Sequence, residues 1–489
     1  MVKKRILFIA DSIKRKTGYA TVARNIITRL VKSGKYEIAQ LGLADIPTLV
    51  DLPIHYYSMV KSHDKCCQKG RVIEYVEPNN PKVNLINLDP KVPFIDANPC
   101  IRGEPEGNDN YGYISTYFVI QHFKPDIVIP INDVWGLYNI AHLRNRQCFK
   151  FVPYMAIDSE CMFPAINIPN PAVPLPPVDP MLTVEKSDKC VVFTDWAQSV
   201  LNKTAGMLNR KEFENMITIP HGVDNSLWRP LPNKYELRKK YFNLDHKVIL
   251  VGCVARNQPR KRLDASLMTL KYFIDNFEKD KKIMVYFHCS MDDRMGWPLP
   301  WLAKYYGIED RCIFDPRLKP GIGPTEEQLN EIVNSFDVHL SLTNSEGWHL
   351  PALETLAAGI PTIITKYSAH ADWGKDALVL SKVAAYEHEP RTGFIKAIAD
   401  VADAAKHIKL LSESKIYYKE WQEKGLKLAK KLDWDNVCLK WEALLDSIDV
   451  SDLAPERYSD PFVSDPTAKD FTLTNFPKEN EYDSATQIR

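Results

Sequence analysis

At 489 residues the chain is too long for one ordinary hydrophobic core, and length alone points to two or three domains. Its composition, 45% apolar and 26% charged, is that of a water-soluble globular protein, and a formal charge of +1 excludes any global pull towards polyanions. Nucleic-acid or membrane contact would have to rest on local patches. The ten cysteines include the neighbours Cys66-Cys67 but no C-x-x-C pair, which argues for reduced thiols and against a disulfide framework. No apolar run approaches the roughly 20 residues of a membrane span. The expected location is cytoplasmic, at most peripheral at a membrane surface.

Lys3-Lys4-Arg5 precede an apolar run that Asp11 ends after five residues, too short for a signal core, so Arg5–Ala10 reads as a buried strand. Further strands are expected at Tyr36–Gly42, Asp126–Ile131, Phe149–Ala156, Cys190–Thr194 and Met216–Pro220. Helices are expected at Tyr19–Lys32, Tyr113–Phe123 and Trp196–Thr204. Strands alternating with helices mark a doubly wound parallel sheet. Two inserts interrupt it. Residues 44–110 are turn-rich, with one candidate strand at Val83–Leu88. Residues 163–180 carry seven prolines and cannot be helical; they form either a stiff surface loop or a wall of a cleft.

Three loops of this half carry candidate chemistry. Lys14-Arg15-Lys16 precede Gly18 on the loop after the first strand. They are either a solvated basic turn or a site for an anionic acceptor such as a lipid phosphate or DNA. Asp133 and Asp158 each follow a strand, where a carboxylate either orients a reacting hydroxyl or caps its own loop.

His221-Gly222-Val223-Asp224 and the polar run to about Lys234 read as a linker with a hinge. A second alternating half follows: strands at Lys247–Val254, Lys282–His288 and Cys312–Phe314, and helices at Leu263–Phe277, Trp297–Tyr306 and Glu326–Ser335. Arg256 and Lys261 bracket a loop at the carboxyl end of the first of these strands, where open α/β sheets bind ligands. Two cations there suit a diphosphate, arginine by forking two oxygens and lysine as a point charge. Arg260 and Arg262 read as solvent-facing. His288-Cys289 and Asp292-Asp293 are metal-ligating residue types, but a ligand set needs convergent side chains, and none is expected here.

The densest motif is Asn344 to Glu354. A strand at Asp337–Leu342 leads into a loop containing Gly347, then a helix from Pro351 to Ala358 stopped by Gly359. Backbone N–H groups from Gly347, Trp348, His349 and Leu350 project from the helix start, where the macrodipole favours a phosphate. Glu346 and Glu354 frame the site. Carboxylates repel phosphate, so they are better placed to grip neutral hydroxyls on either side of it. A strand at Pro361–Thr365 follows, and Ser368–Trp373 is positioned to close over the same site. Helices are expected at Thr392–Leu411, Ile416–Lys430 and Trp434–Ile448.

Glu346-Gly347-x-x-Leu350-Pro351-x-Leu353-Glu354, followed by Ala357-Ala358-Gly359-Ile360-Pro361, resembles the signature of glycosyltransferase family 4. Arg256-x4-Lys261 is similar to that family's diphosphate-binding pair, and Gly18 stands where the family has a glycine-containing loop. The resemblance implies a GT-B fold, two Rossmann-like doubly wound domains facing a central cleft. It places an acceptor-binding domain at 1–235, a donor-binding domain at 236–433, and a helix crossing back plus a polar tail at 434–489.

It also implies a retaining, metal-independent enzyme with no cofactor, moving a hexose-type sugar from a UDP- or GDP-linked donor to a hydroxyl of a glycan, lipid or protein. In that picture Glu354 holds the ribose, Glu346 the sugar, and Arg256 and Lys261 the diphosphate. The family often carries a sugar-contacting histidine where this chain has Asp158, so that role does not transfer. Two alternatives stand beside it: transfer to a hydroxymethylated DNA base, which would need base flipping, and a nucleotide-sugar epimerase of the same fold.

Overall fold

The computed structural model describes residues 3–43, 52–59, 72–78, 83–87, 113–160 and 180–454, apart from isolated positions within the last two ranges. The proline-rich insert before Pro180, most of the 44–110 insert and the tail beyond 454 lie outside the described residues.

The first sheet is built from β1 (Lys4–Asp11), β2 (Tyr36–Leu43), β3 (His55–Met59), β4 (Val72–Val76) and β5 (Val83–Asn87). It continues with β6 (Ile127–Asp133), β7 (Lys150–Phe151), β8 (Tyr154–Ala156), β9 (Cys190–Val192) and β10 (Met216–Thr218). The strand order is β10-β9-β8-β6-β1-β2-β3-β4-β5, with β7 also paired to β6. All pairs are parallel except β3–β4 and β4–β5, a meander that the turn-rich insert adds to one edge. The single strand expected over Phe149–Ala156 is two, because Pro153 has no N–H to continue the ladder. Helices α1 (Gly18–Ser33), α2 (Tyr113–Phe123), α3 (Tyr138–Ala141), α4 (Pro180–Glu185) and α5 (Asp195–Met207) connect these strands.

The second sheet is wholly parallel, with β11 (Ile249–Val254), β12 (Ile283–His288), β13 (Cys312–Phe314), β14 (Val338–Ser341), β15 (Thr362–Thr365) and β16 (Val379–Ser381) in the order β13-β12-β11-β14-β15-β16. Its central strands are buried on both faces, which is why β11 reads ILVGCV without polar alternation. Around it pack α6 (Lys234–Phe242), α7 (Leu263–Asn276), α8 (Leu299–Tyr305), α9 (Glu326–Asn334), α10 (Leu350–Ala357) and α11 (Ser368–Trp373). Helix α6 begins at Lys234, where the expected linker ends. Its Arg238 is fully buried, donating to Ser335 O and Val248 O and pairing with Asp337 at 2.9 Å.

The helix expected over Thr392–Leu411 is the larger correction. An antiparallel hairpin, β17 (Val383–His388) and β18 (Ile395–Ala399), precedes α12 (Val401–Glu413). Asp400 caps that helix by accepting from the N–H groups of Ala402 and Asp403.

The chain ends in α13 (Lys415–Lys431) and α14 (Trp434–Ser447), and α14 returns to the first sheet. There Trp441, Leu444 and Leu445 share a core with Ile6, Phe8, Ile26 and Leu30. Lys4 donates to the carbonyls of Leu445 and Ile448, and Tyr36 to Asp446. The same apolar cluster runs through Trp434 and Trp348 into the second sheet at Leu250 and Phe336. Among the described residues no helix is long and apolar enough to cross a membrane.

Candidate active site

Loops at the carboxyl ends of strands from both sheets meet in one cleft, where Asp133 and Asp158 of the first sheet lie within electrostatic reach of Arg260 beside the second. On the first-sheet side, Thr17 caps α1 by accepting from the Ala20 N–H and donates its hydroxyl to Asp11. This places Gly18 against Leu350, where an added Cβ would meet the leucine methyl at 3.7 Å. Tyr19 donates to Asp133 at 2.6 Å. Burial, and secondarily the neighbouring Asp158, raise the Asp133 carboxyl above its usual range even though the Tyr19 and Arg260 contacts oppose the shift.

On the opposite side, Glu346 sits with its side chain only 6% exposed between two cations. Lys261 bonds one carboxylate oxygen and Arg260 the other at 2.8 Å, and the Thr343 hydroxyl adds a third contact at 3.1 Å. Burial works to raise this carboxyl, but Arg260 and Lys261 overcome it and hold Glu346 well below the normal range. Lys261 is pulled down to about 8, by burial first and Arg260 second, against the opposing pull of Glu346. Two cations share one anion, and the lysine is the one able to release a proton.

Arg260, assigned to solvent from sequence, is thus a central cation, while Arg256 pairs with Asp293 at 2.6 Å and is 66% exposed. The cause is local. The short turn Pro259–Lys261 is pinned through the Arg260 carbonyl, which accepts from Asn344 N and the Thr343 hydroxyl. Side chains 260 and 261 therefore reach Glu346 together. Arg262 pairs with Asp264 at the start of α7.

The start of α10 leaves a set of backbone donors open. The N–H groups of Gly347, Trp348 and His349 donate to no group among the described residues, and helix α10 adds its dipole. Gly347 passes so close to β8 that a Cβ would lie 3.4 Å from that of Ala156. His349 holds a left-handed backbone (φ 81°) uncommon for a side chain with a Cβ, the kind of local strain found at ligand-binding turns. Its Nε2 bonds the Ser341 hydroxyl at 2.6 Å, and burial keeps the ring neutral, far below its ordinary pKa. The buried Nδ1 of His349, Nε1 of Trp348 and Nε2 of His370 have no partner among the described residues.

Helix α11 backs this loop. Ser368 accepts from the Glu346 N–H, and Trp373 stacks on Trp348 at 4.8 Å while donating to its carbonyl. His221, read as part of a hinge, lies buried beneath Trp348 and bonds the Tyr154 hydroxyl at 2.6 Å.

Glu354 stands apart. It lines a cleft cavity of about 240 Å3 with Thr21, Arg24, Glu326 and Leu350, and its carboxyl has no hydrogen bond or ion pair within the described residues. Burial raises it from 4.5 to about 8. The folded protein therefore binds a proton there that the unfolded chain releases near 4.5, so this group costs stability progressively from about pH 4.5 to about 8. Glu354→Gln is expected to flatten the decline in unfolding midpoint across that window; an unchanged pH profile would show that the carboxyl is solvated.

The basic loop is partly committed elsewhere. Lys16 donates across the cleft to the carbonyls of Gly323 and Pro324, and the Lys14 ammonium lies 4.8 Å from the Tyr56 ring centroid. Among the described residues the Arg15 side chain makes no comparable contact: its carbonyl accepts from Arg24, which in turn pairs with Glu326. Asp292 and Asp293 are taken by Lys319 and Arg256, and among the described residues no group of three or more His, Cys, Asp or Glu converges on a metal position.

Sequence reading missed one residue outright. Lys396 lies buried in the cleft, donating to Ser159 and Ser345. The turn signal Pro390 to Gly393, between two short apolar-alternating runs, was the available clue to the hairpin that carries it.

No family model matches the chain, and no curated protein is similar to it in sequence. Its likeness is to solved structures. The sucrose-phosphate synthase from Thermosynechococcus elongatus superposes with a TM-score of 0.62 at 13% identity, over 91% of this chain and 98% of that one. HepE from Anabaena, solved with UDP and glucose, gives 0.59 at 12% over 91% and 100%. WaaG, a glycosyltransferase involved in lipopolysaccharide biosynthesis, gives 0.58 at 13% over the same shares. At these identities the likeness is one of fold. The chain has the GT-B architecture, two Rossmann-like domains facing a cleft.

Proposed function

We propose that the chain is a retaining, metal-independent glycosyltransferase, which moves a hexose-type sugar from a UDP- or GDP-linked donor to an acceptor hydroxyl. One observation carries the reading. A buried carboxylate, Glu346, is fixed between Lys261 and Arg260 beside the open N–H groups at the start of α10, facing Asp133 and Asp158 of the other domain. The donor diphosphate would lie on the N–H groups of Gly347, Trp348 and His349. Lys261 and Arg260 would offset its charge as the sugar departs, with Arg256 as the outer cation at the same strand end. Glu354, with no protein partner, would take ribose hydroxyls, and Glu346 those of the sugar.

Transfer breaks the bond between the anomeric carbon and the β-phosphate oxygen and forms one to the acceptor oxygen on the same face. The acceptor proton passes to the leaving phosphate. Asp133 and Asp158 would orient the incoming hydroxyl. Glu346 and Glu354 lie on one side of the cleft and do not form an acid–nucleophile pair across a single bond. Structures such as HepE bind UDP and glucose, and that donor class is the first to try here.

The test is a panel of UDP- and GDP-sugars with purified protein, scoring nucleotide release alone, with glycans, with lipid acceptors and with duplex DNA carrying hydroxymethylated bases. Acceptor-stimulated release supports the reading. Conversion of the donor sugar without nucleotide release would instead make the protein an epimerase, and inertness towards every donor would remove the proposal.

A further inference from the structure

Strand β18 belongs to the second domain, yet it is stitched to both. Ile395 N donates to Glu160 O of the first domain at 3.3 Å, and two residues later Ala397 N donates to Asn344 O of the second at 3.0 Å. The Tyr367 hydroxyl closes the arrangement on Ile395 O. Lys396, between these two contacts, has a side chain 7% exposed. Its ammonium donates to the Ser159 hydroxyl at 2.8 Å and the Ser345 hydroxyl at 2.9 Å, and lies 3.9 Å from the Asp158 carboxylate. Both serines are themselves buried.

The neighbours of those serines give the arrangement its meaning. Ser159 directly follows Asp158, and Ser345 directly precedes Glu346. One ammonium thus ties the residue beside the acceptor-facing carboxylate to the residue beside the donor-facing one. A buried ammonium needs its N–H groups satisfied. If the domains part, Lys396 loses Ser159 and Asp158 together and keeps only Ser345. Its two side-chain hydrogen bonds coexist only when the two loops are in register.

Resting on the glycosyltransferase reading, we propose that Lys396 is a positioning residue. It sets Asp158 against Glu346 on closure of the cleft, so that assembly of the two half-sites is coupled to transfer. A nearby arginine does not duplicate this role, because Arg260 engages Ser345 through its carbonyl and Glu346 directly, and forms no hydrogen bond to Ser159.

Lys396→Met keeps most of the apolar stem and removes the ammonium. With the donor identified by the panel above, the expected result is a fall in kcat of about 10- to 100-fold, as for a misplacement of reacting groups. The donor KM should change by less than about threefold. Ser159→Ala should lower kcat in the same direction, and combining the two should cost little more than Lys396→Met alone. Small-angle scattering should show the Lys396→Met protein more extended than the parent. A variant that loses thermal stability yet keeps kcat, or additive effects in the double variant, would make Lys396 a merely structural contact. If the parent turns over no donor while Glu346→Ala is equally inert, the functional reading fails. Scattering then still decides, since an unchanged profile for Lys396→Met would overturn the positioning role.

Discussion

A Glu346→Ala protein is expected to release nucleotide from its donor at least about 100-fold more slowly than the parent, with turnover impaired more than donor binding. The carboxylate is ion-paired with both Lys261 and Arg260. Removing it deletes the proposed grip on the sugar and leaves two cations close together in a largely enclosed site. Some loss of stability should accompany the loss of rate, up to about 3 kcal/mol because breaking a buried pair strands its partners. Glu346→Gln separates the two effects, since it keeps the volume and loses only the charge.

The sign of the pH dependence follows from the depressed carboxyl. Its contribution to stability is fully present above about pH 4.5 and fades as pH falls through the lower folded value. Chemical denaturation between pH 3 and 7 should show this decline in the parent and a weaker one in Glu346→Gln. Full turnover in either variant would detach Glu346 from the chemistry.

The second large effect belongs to Lys261. Lys261→Ala should lower kcat by about 100- to 1,000-fold, the scale for removing a preorganised charge aimed at a leaving group. Its pH dependence is more diagnostic. Burial and Arg260 bring the ammonium down to about 8, so charge on this residue, and with it activity, should fall as pH rises through that value. Lys261→Arg keeps the charge at all accessible pH, and its alkaline limb should move upward by a unit or more even if the maximal rate is reduced. An alkaline limb that stays near pH 8 in Lys261→Arg would assign it to another group, and Glu354, also near 8, is the first to test.

Most of the order of strands and helices, and the turn at Gly347 that opens α10, were legible because each rests on local physics. Parallel strands buried on both faces announce themselves as unbroken apolar runs, and a helix flanked by Pro351 and Gly359 states its own bounds. Gly359 indeed holds a left-handed φ of 77°. Residue spacing likewise brought Glu346, Glu354 and Lys261 forward.

What the sequence could not contain was which charges meet. Arg256, Arg260 and Arg262 are equivalent as letters. The three hydrogen-bonding groups of Thr343, Asn344 and Arg260 turn the loop so that residue 260 faces Glu346 while residue 256 faces Asp293. Lys396 and its two serines lie at positions 159, 345 and 396, brought together only by the closed cleft. Glu354 is an ordinary glutamate until burial without a partner raises its carboxyl to about 8. Local propensity made the elements readable from the chain alone. Desolvation and pairing over hundreds of residues decided which of their side chains form the site.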